Sequence, residues 1–146
     1  MRKLSRYYRN WSSLSISRKL TLLRAAFILI WIKAGLSLLR FSYFKSIFRW
    51  LTTTKKTNHF SEASIIEIRE SVTQAANALP ISLLCLPRAL ATKYMLRGVP
   101  DITLEIGVDL NPKQGFQAHA WVEHKNKIII GDWSDSISYQ RLWIWE

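Results

Sequence analysis

What most constrains this chain is a switch in the spacing of its apolar residues between Gly98 and Ile102. Ahead of the switch the spacing is helical. Ile65, Ile68, Val72, Ala75, Ala76 and Leu79 return every three or four positions, the interval that lines one face of a helix. Behind it, Ile102, Leu104, Ile106 and Val108 alternate with Thr103, Glu105 and Gly107, the pattern of a half-buried strand. Helices followed by an antiparallel sheet predict an α+β domain.

The last helix before the switch has both ends marked. Pro87 lacks a backbone N–H and is tolerated only in a first turn, so the helix starts close to Cys85. Gly98 supplies a left-handed C-terminal cap, and Pro100 stands where the helix cannot continue. The single cysteine therefore sits among the unpaired N–H groups of a helix N-terminus, where the dipole favours an anion. A thiol so placed ionises more readily than a free one, whose pKa is about 8.5. Most unpaired cysteines are nonetheless small buried apolar residues, so Cys85 becomes a nucleophile only if a base and an orienting group accompany it.

The strands supply candidates. After Ile102–Val108, a loop over Asp109–Gly115 leads to a second strand at Phe116–Glu123 and a third at Lys127–Trp133, and Tyr139–Trp145 adds a short last one. If the hairpin is symmetric about Lys125–Asn126, His119 lies directly opposite Asp132, within reach of a hydrogen bond that fixes the ring tautomer. Such a pair alone is more often structural. Asp132, however, ends the run Ile128-Ile129-Ile130-Gly131, where a charge needs a partner. His59 and His124 read as solvated loop and turn residues.

Cys85, His119 and Asp132 together have the logic of acyl transfer: thiolate attack on a carbonyl, His119 as proton acceptor and donor, and release of the acyl-enzyme by water. Backbone N–H groups at Cys85 and Leu86 are placed to hold the oxyanion, and Gln74 and Asn77 are candidates for a side-chain donor. One Cys and three separated His lack zinc-ligand spacing, so no metal or cofactor is expected.

Charge divides the chain into a basic, apolar helical region over 1–56 and a nearly neutral domain over 57–146. Residues 1–61 hold thirteen Lys or Arg and no Asp or Glu, whereas residues 62–146 hold eight basic and ten acidic residues. Helices are expected over Ser17–Leu39, capped by Ser15 or Ser17, and over Phe41–Leu51, with Thr52–Asn58 as linker. The next helix runs from about Ser61 to Ala78, with a capping box from Ser64 and Glu67. The longest apolar run, Ala25 to Ile32, is eight residues between Arg24 and Lys33, short of the about 20 that span a membrane. The basic helices are expected to pack on the domain or a partner protein; an anionic membrane surface ranks next, and nucleic acid last, since no recognition motif accompanies the charge. A single cysteine and the absence of a secretory signal suit a cytoplasmic protein.

Cys85-Leu86-Pro87-Arg88-Ala89-Leu90-Ala91, Gly98-Val99-Pro100, Ile106-Gly107-Val108 and Gly115-Phe116-Gln117-Ala118-His119-Ala120-Trp121-Val122-Glu123 resemble the leader peptidase of lasso-peptide biosynthesis, within the transglutaminase-like superfamily of papain-type folds. The resemblance implies cysteine-dependent removal of the leader from a ribosomal precursor peptide before a separate cyclase closes the macrolactam. It implies Cys85, His119 and Asp132 as the triad. Arg88, which matches a family position, is weighted towards pairing within the fold over substrate contact. It also implies the stand-alone form of the peptidase, which recruits a separate leader-binding (RiPP recognition element) protein to cover its apolar faces. The rival readings are a transglutaminase-like acyltransferase with an amine acceptor, and a non-catalytic module that binds a partner or membrane through residues 1–56.

Overall fold

The computed structural model describes residues 14–54, 57, 59–109, 117–133 and 139–145. The basic-aromatic stretch 1–13, most of the loop expected over Asp109–Gly115, and Phe116 lie outside these residues. Among the described residues, four helices, α1 (Ile16–Leu38), α2 (Phe41–Thr52), α3 (Glu62–Ala78) and α4 (Cys85–Met95), precede four strands, β1 (Ile102–Asp109), β2 (Gln117–His124), β3 (Lys127–Ile130) and β4 (Gln140–Trp145). The strands form one antiparallel sheet in the order β3-β2-β1-β4. This is the α+β architecture expected from the switch in spacing, with a Cys-bearing helix against a small sheet.

α4 is the hub. It contacts α1, α2 and α3 on one side and β1, β2 and β3 on the other. Leu90, Ala91 and Leu96 of this segment are buried in one cluster with Leu29 and Ile32 of α1, Phe44 and Phe48 of α2, Val72 of α3, and Leu104 and Val122 of the sheet. The basic helices therefore share the core of the strands. Arg18 of α1 pairs with Glu70 of α3, and buried Lys93 of α4 donates to the Ile102 carbonyl at 2.6 Å, tying the helix to β1.

Four expectations shift. Ser15 does cap α1, accepting from the Arg18 N–H, but α3 is capped by Ser61, which accepts from the Ser64 N–H, one turn ahead of the expected capping box. β3 stops at Ile130 instead of reaching Trp133, because Gly131 turns out of the strand at φ +89°. The β2–β3 turn is tight, with Lys125 and Asn126 both at positive φ. The ladder nevertheless slips: Glu123 pairs with Ile128 but Val122 with Ile130, leaving Ile129 as a bulge. Three consecutive isoleucines cannot alternate cleanly, and the bulge lets Ile130 be buried while Ile129 packs against the same cluster. Finally, the run-length argument undercounts α1. Over its 23 residues it is, among the described residues, a helix long and apolar enough to cross a membrane by length and composition.

Candidate active site

Cys85 opens α4, and the residue before it, Leu84, makes no side-chain cap. Neither does any acidic residue stand in the first turn. The N–H groups and the positive end of the dipole are thus left to the thiol. The Leu86 N–H turns to the sulfur, as does the N–H of Ala120 from β2. Because β3 ends at Ile130, no described strand pairs with that edge of β2 beyond Val122, and the start of α4 comes in alongside it.

His119 stands next to Ala120 on that edge. Its ring hydrogen-bonds the Cys85 thiol, and this bond is the largest influence on both groups. The bond lowers the thiol from its ordinary value against the opposing effect of partial burial. It raises the imidazole, again against burial. Both shifts favour a thiolate–imidazolium pair. Nε2 of His119 lies 2.7 Å from the Gly131 carbonyl oxygen. A carbonyl can only accept, so Nε2 carries the proton in this bond and Nδ1 is left to face the sulfur.

The orienting acceptor is thus a backbone carbonyl, one residue ahead of the carboxylate expected in that role. Asp132 is exposed and acts on His119 through charge alone, the smallest of the influences that raise the ring. The Ile129 bulge is the physical reason: one extra residue removes the symmetric register that set His119 opposite Asp132. Asp132 instead borders a cleft of about 400 Å³ between α3 and β3, shared with Arg69, Thr73, Gln74 and Ile129. Gln74 is on the wall of that cleft. Asn77 accepts through Oδ1 from Arg88 Nη2 at 2.9 Å, and Arg88 Nε donates to the Leu83 carbonyl at 2.8 Å. Arg88 thereby staples the end of α3 and the α3–α4 connection to the helix that bears Cys85.

An aromatic shell around His119 was missed in the sequence. The Tyr139 ring stacks on the imidazole with centroids 4.9 Å apart, Trp121 stacks at 6.2 Å and Trp133 meets it edge-on at 5.7 Å. Trp121 sits so close to β1 that a Cβ on Gly107 would lie 2.8 Å from its ring. Its indole N–H donates to Glu123 at 2.8 Å, and Arg141 pairs with both Glu123 and Glu105. Burial raises the Tyr139 phenol, with help from the charges of Asp109 and Cys85. The only sequence trace of this shell is the density of aromatic residues in 116–145.

The family profile described as "Transglutaminase-like superfamily" matches residues 28–144, a span that includes the end of α1 and all the later elements up to Ile144. Neither the curated proteins nor the solved structures hold a significant match to the chain.

Proposed function

Because the chain belongs to the transglutaminase-like superfamily, which includes cysteine peptidases and acyltransferases, we propose that it is a cysteine peptidase that removes the leader from a lasso-peptide precursor. The observation that carries the reading is the Cys85–His119 hydrogen bond at an uncapped helix N-terminus, which lowers the thiol and raises the imidazole.

The Cys85 thiolate attacks the scissile carbonyl, and the developing oxyanion is held by the Cys85 N–H, joined by the Leu86 N–H as negative charge passes from the sulfur to the oxygen, since Pro87 has none to offer. His119, held through Nε2 by the Gly131 carbonyl, gives its proton to the leaving amine from the ring edge facing the sulfur. Water then attacks the acyl-enzyme and gives a proton to His119, and the thioester C–S bond breaks to return the Cys85 thiolate and release the acid. Asp132 favours the imidazolium through its charge. Asp132 is the link between the Cys85–His119 pair and the cleft between α3 and β3, and in this reading the precursor continues into that cleft past Gln74 on its wall. A separate leader-binding protein delivers the precursor, and the lasso cyclase takes the freed core.

The test is cleavage of a cognate precursor followed by mass spectrometry. Cys85→Ala should abolish cleavage while the unfolding midpoint stays near wild type; undiminished cleavage would refute the proposal. A hydrolysed carboxylate terminus supports a peptidase, and amide-linked products would make the protein an acyltransferase.

A further inference from the structure

α1 is apolar on two opposite sides. Ala25, Ile28, Leu29 and Ile32 face the core and are buried. Ile16, Leu20, Leu23, Phe27, Ile30 and Leu38 recur at helical spacing on the side facing away, and all are exposed, with Ile16 at 77%, Phe27 at 72% and Leu38 at 83%. Leu20, Leu23 and Phe27 of this stripe, with Arg24 and Trp31, form one wall of an open groove completed by Leu51 at the end of α2, Tyr94 of α4 and Arg97 just beyond it. On α2, Tyr43 and Trp50 are exposed as well. A solvent-facing apolar surface of this extent marks an interaction site.

We infer that the outer face of α1 seats the protein on an anionic lipid bilayer. The charge pattern selects this occupant. Lys19 and Arg24 lie one on each side of the stripe by helical spacing, placed to keep their heads at the level of phosphate groups while the apolar side chains enter the acyl boundary. Arg40 and Arg49 add exposed cations, and no acidic residue occurs before Glu62. A face with only positive charge complements a uniformly anionic surface, and an apolar stripe between flanking cations is the pattern of a helix lying at a lipid interface. The helix lies in the interface and does not span, because its other side is a wall of the core. The inference is independent of the chemistry at Cys85.

The experiment is flotation of the full chain, synthesised in the presence of vesicles. One set contains phosphatidylglycerol with phosphatidylcholine and the other phosphatidylcholine alone. The chain should float with the anionic set roughly tenfold more than with the neutral set, and less at high salt. Leu20→Glu with Phe27→Glu should lose flotation by about the same factor or more. Lys19→Glu with Arg24→Glu, which leaves the apolar stripe whole, should lose the preference for anionic lipid. Cys85→Ala should float as wild type, so that a failed peptidase assay and a failed flotation are separate outcomes. Absence of flotation, flotation unchanged by both double variants, or a soluble dimer that Leu20→Glu with Phe27→Glu dissociates would each overturn the inference.

Discussion

At the scale of the residue, Cys85 and His119 move each other's protonation in opposite directions. The thiol falls and the imidazole rises, so the pH interval in which sulfur is anionic and the ring cationic widens at both ends. Alkylation of Cys85 by iodoacetamide should therefore reach half its maximal rate below about 8.5, the pKa of a free thiol. In His119→Ala the midpoint should climb, since the largest lowering influence is gone and burial remains. A wild-type midpoint at or above the free-thiol value would contradict the pair. Asp132 makes a second prediction. Where a carboxylate accepts the histidine hydrogen bond, its amide replacement costs about 10⁴-fold in kcat. Here Gly131 holds that bond, so Asp132→Asn should lower kcat by roughly tenfold, the loss of one charge effect on an exposed site. A loss near 10⁴-fold would show that the carboxylate takes the bond during turnover.

At the scale of the element, the site depends on how β3 ends. Gly131 sits at φ +89°, and a Cβ there would lie 2.7 Å from the Ala120 carbonyl oxygen, against backbone that cannot yield cheaply. Gly131→Ala should cost about 2 kcal/mol in urea unfolding and also raise the Cys85 alkylation midpoint, because the carbonyl that orients His119 is displaced. A stable variant with an unchanged midpoint would remove Gly131 from the site. The same segment shows what could be read beforehand. Pro87 marked the first turn of α4 because it lacks the N–H that other helical positions need, and alternation located β1; Gly98, expected to cap the helix, stands instead at φ +84° in the turn that follows the Leu96 cap. The hairpin was found, with its turn at Lys125–Asn126, but the Ile129 bulge was not. A bulge answers to which isoleucine the core accepts, and three identical residues in a row carry no mark of that choice. Tyr139 and Trp133 were invisible for a related reason: stacking on His119 is a tertiary event with no spacing signature.

At the scale of the whole molecule, the helices rich in Lys and Arg share one core with the sheet. Leu29 of α1 is fully buried in the cluster that holds Leu90 of α4 and Val122 of β2. Leu29→Ala should lower stability by about 3 kcal/mol, and urea should unfold helices and sheet in a single transition, followed by far-UV circular dichroism for the helices and near-UV signal for the Trp121 shell. Two separated transitions would mean that residues 16–52 fold apart from the rest. The aromatic shell itself is braced at the far edge of the sheet, where Arg141 of β4 joins Glu105 and Glu123. One further consequence follows from the chain's lone thiol standing where helix and strand edge meet. Loosened, the polypeptide carries an ordinary, sluggish mercaptan; assembled, it carries a keen one. The molecule therefore arms itself only on completing its own architecture, and a half-made copy has no reactive warhead with which to harm its neighbours.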